Sequence, residues 1–183
     1  MEKKATRQAY GETLVELGEE NNRIVVLDAD LSHSTMTHLF AKKFKDRFFN
    51  VGVAEQNLMN MAAGFSLAGL IPFASTFAIF ATGRAWDQVR NTIAYSRLNV
   101  KIAASHAGIT VGPDGATHQA TEDVGLMRVI PDMAVVVPSD AVETEAVVRW
   151  AADYVGPVYI RLARAAFPVM HDRSCYHFDP GKG

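Results

Sequence analysis

Cysteine is almost absent: the chain has one, Cys175, close to its C-terminus. No disulfide can form within the chain and no thiolate metal cluster can be built, which reads as a protein of a reducing, cytoplasmic compartment. An apolar leader is lacking too, because Met1-Glu2-Lys3-Lys4 runs straight into an amphipathic segment. Neither sign of charge dominates, with a formal net charge of -2 and a pI near 6.3. The cluster Lys42-Lys43 with Lys45 falls where a solvated helix face is expected, so neither nucleic acid nor a membrane surface is expected as a partner. Internal repeats and low-complexity tracts are missing. The most telling gap is local: from Gln56 to Gly83 there is no Asp, Glu, Lys or Arg. A run of that length raises a membrane span. Asn57, Asn60, Gly64, Ser66, Gly69, Pro72, Ser75 and Thr76 argue otherwise, dividing it into helix, turn, strand and second helix inside a water-soluble domain.

What is present fills one compact domain: 183 residues, 49% hydrophobic and 21% charged. Continuous apolar runs of strand length occur at 24–27, 47–51, 71–75, 100–105, 134–137 and 158–161. Segments of helical periodicity lie around 6–20, 34–44, 55–68, 78–96, 117–129 and 140–154, the last opened by Ser139-Asp140 after Pro138. Strands apolar on both faces, with helices between them, predict an α/β fold: a doubly wound, mainly parallel six-stranded sheet with helices on both faces. The expected domain is 1–175, and the tail 176–183, ending Asp179-Pro180-Gly181-Lys182-Gly183, reads as the start of a linker. In such sheets ligands bind beyond the carboxyl ends of the strands. The polar residues after those ends therefore matter most: Asp28 and Asp30, Glu55, Thr76 with Phe77, and His106.

Glu55, in Val51-Gly52-Val53-Ala54-Glu55-Gln56-Asn57, borders the uncharged run, and a carboxylate there is costly to bury unless something polar meets it. It opens a predicted helix, whose dipole favours the anion, while apolar Val53, Leu58 and Met59 favour the neutral acid. The bland alternative is a glutamate that only caps the helix. Phe77 and Phe80, three apart on a predicted helix, share a face that suits either core packing or an aromatic wall for a flat ring. Ser105-His106-Ala107-Gly108 and Asp114-Gly115-Ala116-Thr117-His118-Gln119 gather two histidines and an aspartate, but their spacing is too irregular for a metal site, and none is assigned. His33, His38, His171 and His177 are read as ordinary polar residues.

With these motifs in this order, nearly the whole chain resembles the pyrimidine-binding domain of thiamine-diphosphate enzymes and is most similar to the transketolase family. The resemblance implies that Glu55 hydrogen-bonds a ring nitrogen of the cofactor's aminopyrimidine and so promotes deprotonation of the thiazolium carbon. It also implies that Phe77 and Phe80 stack around that ring, with Gly83 thinning one wall, and that Asp30, Leu31 and Val53 line the cofactor. His106 and His118 would contact the sugar's reacting oxygens and move protons, while Asp114 would accept from a substrate hydroxyl. Arg7, Ser34 and Arg164 match positions that hold the substrate phosphate, a task that suits the arginine fork.

Transketolases hold the cofactor's diphosphate through Mg2+ on a separate domain carrying a Gly-Asp-Gly sequence, which this chain does not have. The resemblance therefore implies half a site: a C-terminal subunit of a split transketolase, inactive by itself and completed in a homo- or hetero-oligomer by a diphosphate-binding subunit, acting on phosphorylated sugars. Ala54-Glu55-Gln56 is also similar to 1-deoxyxylulose-5-phosphate synthase and to the beta subunit of 2-oxo-acid dehydrogenase E1, whereas His106 favours transketolase. A catalytically silent assembly module is the reading from a different class.

Overall fold

The computed structural model describes residues 2–182. In chain order its elements are β1 (Lys3–Ala5), α1 (Thr6–Glu20), β2 (Ile24–Asp28), α2 (Ser32–Thr35), α3 (His38–Lys43), β3 (Phe48–Asn50), α4 (Glu55–Leu67), β4 (Ile71–Phe77), β5 (Lys101–Ser105), α5 (Asp123–Arg128), β6 (Ala134–Val136), α6 (Ala141–Asp153), β7 (Val158–Arg161) and β8 (Ala166–Pro168). Six strands form one parallel sheet in the order β3-β2-β4-β5-β7-β6. From β2 the chain moves outward to β3 and then returns to β4 on the other side of β2, which makes the carboxyl ends of β2 and β4 a topological switch point.

Alternation along the strands builds two cores. Val25 and Leu27 of β2 face a layer made by Leu58, Met59 and Ala62 of α4 with Val89 and Ile93 of the following segment. Ile24 and Val26 face the opposite layer, made by Tyr10 and Leu14 of α1, Phe40 of α3 and Val147 and Val148 of α6. Gly11 lets α1 approach the turn after α2, since a Cβ there would stand 2.6 Å from the Met36 carbonyl oxygen. Lys101, at the amino end of β5, is fully buried. Its Nζ donates to Asn99 Oδ1 (2.6 Å) and to the carbonyls of Tyr154 (2.6 Å) and Gly156 (2.8 Å), using all three donors. Burial pushes this ammonium down to about 7. No helix of the described residues is long and apolar enough to cross a membrane.

The sheet agrees with the sequence pattern, and the departures are local. The segment 34–44 is not one helix: Met36, at φ 68, separates α2 from α3. The segment 117–129 keeps its α-helix only over α5, preceded by the tight turn Ala116–His118. The predicted helix 78–96 contains two π-helical turns, Phe80–Arg84 and Gln88–Ala94. β4 continues through Phe77, so Phe77 closes a strand and does not share a helix with Phe80. Phe178, in the segment read as linker, packs edge-on against Trp150 at 5.4 Å.

A second, two-stranded sheet had no counterpart in the periodicity. β1 and β8 pair antiparallel, with Lys4 opposite Phe167, and clasp the two ends of the domain together. Thr6 Oγ1 accepts from the Ala163 N–H at 2.8 Å on the same side. Beyond β8 the chain is latched by Asp140, which is fully buried. Its Oδ1 caps α6 by accepting from Glu143 N–H at 2.9 Å, and its Oδ2 accepts from the N–H groups of Met170 (2.7 Å) and His171 (2.8 Å). Burial alone would push this carboxyl up, but the three backbone donors outweigh it and hold it below its ordinary value.

Replacing Asp140 with Ala removes a charged acceptor from three backbone donors and should destabilise the domain by about 2–4 kcal/mol in urea unfolding. Because its folded-state value is depressed, the carboxylate's contribution is present above the ordinary range and lost as pH falls through the folded value. The wild-type protein should therefore lose stability below about pH 4 more steeply than Asp140→Ala. Parallel pH profiles would remove Asp140 as the latch.

Candidate active site

The carboxyl edge of the sheet carries a continuous cluster of aromatic, acidic and basic side chains. Glu55 is the first residue of α4 and only 4% exposed. Its Oε1 accepts from Arg84 Nη1 at 3.1 Å, and Arg84 lies with its guanidinium 4.3 Å from the Phe80 ring centroid. The polar partner that the sequence required for Glu55 is thus supplied within the chain, by the first charged residue after the uncharged run. Arg84 closes the π-helical turn Phe80–Arg84, which is marked by an i→i+5 bond from Ala85 N–H to Phe80 O at 3.2 Å.

Phe80 and Phe77 lie nearly parallel, 5.8 Å apart at 11°. His106 stacks on Phe77 at 3.8 Å, and His118 meets the edges of both rings at 6.3 and 5.4 Å. His106 is 2% exposed and adopts the left-handed backbone (φ 59), a strain of about 1–3 kcal/mol for a residue with a Cβ. The Ala107 N–H, bonded to Leu162 O at 3.2 Å, anchors that bend to the chain after β7. The imidazole Nδ1 pairs with Ser105 Oγ at 3.0 Å, which leaves Nε2 free for a ligand. Burial first, then the positive charge of Arg7, with Arg164 and His118 adding to it and Asp114 opposing, pushes His106 down to about 4.

Arg7 opens α1 and Arg164 follows β7, and the β1–β8 clasp brings them to one corner. Arg7 Nη1 donates to the Ser34 carbonyl at 2.7 Å, while its buried Nε has no partner. Burial and then the charge of Arg164 depress Arg7, so two like charges share this corner. Neither makes a salt bridge among the described residues. The Arg164 guanidinium lies across Gly112, where a Cβ would come within 2.8 Å of Nη1. Asp114 ends the exposed turn that begins at Gly112.

Asp30 and Leu31 lie in the loop after β2, and Val53 lies in the loop after β3. Asp30 is exposed, at φ 64, and accepts from Asn50 Nδ2 at 2.9 Å. The half-buried Leu31 donates its N–H to Asp28 Oδ1 at 2.5 Å. Val53 is exposed in the turn leading to Glu55.

Two buried carboxylates hold this edge in shape. Buried Asp28 accepts from Leu31 N–H, Thr35 Oγ1 (2.6 Å) and Thr37 Oγ1 (2.9 Å), and so fixes the loop that presents Ser34. Buried Asp123 Oδ2 accepts from Tyr159 OH (2.9 Å) and Arg161 Nε (2.8 Å), and Arg161 Nη2 reaches Ala120 O at 3.4 Å, beneath the loop carrying Asp114 and His118. Asp28 was visible as a polar residue closing an apolar strand. The Asp123–Arg161 pair joins residues 38 apart and had no local signal.

A buried carboxylate joined through Arg84 to one of two parallel aromatic rings, at the carboxyl edge of a parallel sheet, suits an α/β ligand-binding domain. A family profile described as the transketolase pyrimidine-binding domain matches residues 2–170. A Methanocaldococcus jannaschii protein provisionally named transketolase C-terminal section is 54% identical over 181 residues, covering 98% of this chain and 57% of that protein. Human transketolase is 40% identical over 174 residues, covering 94% of this chain and 28% of the enzyme. Among solved structures, a split-gene transketolase described as an inactive beta4 tetramer superposes with TM-score 0.87 at 60% identity, covering 97% of this chain and 57% of that one. The chain belongs to the transketolase pyrimidine-binding-domain family, and membership implies thiamine diphosphate as cofactor. It spans between about a quarter and just over half the length of these relatives.

The titration of His106 tests the site's electrostatics. With its folded value near 4 against an ordinary 6.5, the unfolded chain binds a proton between those limits that the folded chain does not. The stability contribution of neutral His106 is therefore complete above pH 6.5 and declines as pH falls toward 4. In NMR titrations the ring should still be neutral at about pH 5.5, and His106→Phe should flatten the pH dependence of unfolding by about one proton. A midpoint near 6.5 would mean that this imidazole is neither desolvated nor close to the arginines.

Proposed function

We propose that this domain is the pyrimidine-binding half of a thiamine-diphosphate-dependent transketolase. It would move a two-carbon ketol unit from a ketose phosphate to an aldose phosphate, with a diphosphate-binding subunit, carrying Mg2+, completing the site. The observation that carries the reading is buried Glu55, with one carboxylate oxygen engaged by Arg84, which links it to the face of Phe80 in the parallel Phe77–Phe80 pair. A carboxylate next to an aromatic wall suits a flat heterocycle bearing ring nitrogens. Two further atoms favour a polar ligand here, since Thr76 Oγ1 and Arg7 Nε are buried without partners.

When bound, thiamine diphosphate supplies the nucleophilic carbon and the electron sink for cleavage of the sugar's C–C bond. The chain's own residues do the rest. Glu55 would hold the pyrimidine nitrogen by a hydrogen bond and supply a proton-exchanging carboxyl group there, a task suited to a group shielded from water. Phe77 and Phe80 would hold the ring by stacking, while Asp30, Leu31 and Val53 would bound the cofactor from the loops after β2 and β3. His106, neutral above about 4, accepts a proton through Nε2 from a sugar hydroxyl. His118, edge-to-face with the aromatic pair, assists, and Asp114 accepts from a further hydroxyl. Arg7 and Arg164, two neighbouring guanidinium groups without a carboxylate partner among the described residues, hold the phosphate, with Ser34 beside them.

A ketol-transfer assay with xylulose 5-phosphate, ribose 5-phosphate, thiamine diphosphate and Mg2+, on the full-length protein with its diphosphate-binding partner, tests the reading. Activity should appear only in the mixture, and turnover with pyruvate but not xylulose 5-phosphate would move the domain to the synthase or dehydrogenase branch. Glu55→Gln should lower turnover by at least about 100-fold with the fold intact, and retention of turnover would remove Glu55 from proton transfer. Arg164→Ala should raise KM for phosphorylated donors about 10-fold or more and spare unphosphorylated ones. Equal loss with both donor types would place the arginine outside the phosphate site.

A further inference from the structure

The contact between Arg84 and Glu55 is lopsided. The Glu55 side chain is 4% exposed, whereas Arg84 is 55% exposed and can leave the contact for solvent. Its guanidinium is planar, donates an N–H to Glu55 Oε1 at 3.1 Å and covers the Phe80 face at 4.3 Å. These are the contacts expected of a flat nitrogen heterocycle at this spot: a donor to the carboxylate and a face on the aromatic ring. A buried carboxylate left without a partner is costly, so a cofactor-binding wall built around one needs a temporary occupant before the ligand arrives. Arg84 fits that need because it ends the π-helical turn that also carries Phe80, so one local element sets its guanidinium on the Phe80 face and against Glu55.

We propose that Arg84 is an internal stand-in for the cofactor's pyrimidine ring. In the cofactor-free protein it neutralises Glu55 and covers Phe80, and cofactor binding displaces it toward water. The inference rests on the proposed role of Glu55. Arg84 would then set how readily the empty site accepts cofactor, as a competing partner whose occupancy lowers the apparent affinity.

Two measurements test it, both on the full-length protein assembled with its diphosphate-binding partner. In titration calorimetry with thiamine diphosphate and Mg2+, Arg84→Ala should bind the cofactor about three- to tenfold more tightly than wild type, with Arg84→Lys in between, and Glu55→Gln should bind it more weakly. In the cofactor-free assembly, the thermal midpoints of Glu55→Gln, Arg84→Ala and the double variant should be non-additive, as expected for two groups in direct contact. Unchanged or weaker binding by Arg84→Ala, alongside weakened binding by Glu55→Gln, overturns the stand-in and leaves the role of Glu55 standing. Unchanged binding by Glu55→Gln removes the role of Glu55 and the proposal with it. Additive midpoints show that the contact does not exist in the cofactor-free protein and overturn the proposal independently of binding.

Discussion

Burial of both faces of a parallel sheet is the constraint from which the rest of this molecule follows. β2, β4 and β5 have no solvent face, so their side chains pack into one helical layer or the other and leave no room for chemistry along their length. Polar groups are driven to the strand ends, and the two ends differ. At the amino end of β5, Lys101 is consumed by three protein acceptors and serves the fold. At the carboxyl end, His106, Arg7, Arg164 and Thr76 keep unused hydrogen-bonding capacity, as expected where ligands are met.

Loops that carry such groups would be poor scaffolds if they were held only by their own turns. Here each is tied to a buried carboxylate below it. Asp28 gathers the backbone and hydroxyls of the loop after β2, and Asp123 braces Arg161 under the loop that carries His118. Acceptors of this kind are demanding, because removing one strands several donors away from water. The same rigidity lets His106 keep a left-handed backbone, with its ring pressed on Phe77. The carboxyl edge is stiff because its supports are buried, although much of it faces solvent.

The sheet was legible because its strands are apolar on both faces and of the right length, and because Ser139-Asp140 signals the start of α6 as plainly as any local pattern can. The candidate site was legible for a related reason: a lone glutamate beside an uncharged run, and histidines after apolar strands, are conspicuous against their background. Periodicity could not show where a strand stops and a helix begins when both are buried, so Phe77 was read into a helix when it ends β4. Nor could it show the π turns, which depend on how the segment 78–96 settles between α4 and the sheet and not on its composition. Arg84 stood in plain view as the charge that ends the uncharged run, but its partner lies 29 residues away, at a distance no local pattern spans. The β1–β8 pairing was hidden for the same reason, joining three-residue strands from opposite ends of the domain.

That small pairing has an architectural consequence. With Lys3–Ala5 lying along Ala166–Pro168, the segment before α1 and the segment after β7 meet at one corner, next to the arginine pair, while the six-stranded sheet is complete without either. A module whose flanking segments are clasped together can be spliced into a longer polypeptide, or supplied as a separate one, without rethreading its interior. Such a domain is portable between gene architectures, and the clasp keeps its arginine corner the same in each of them.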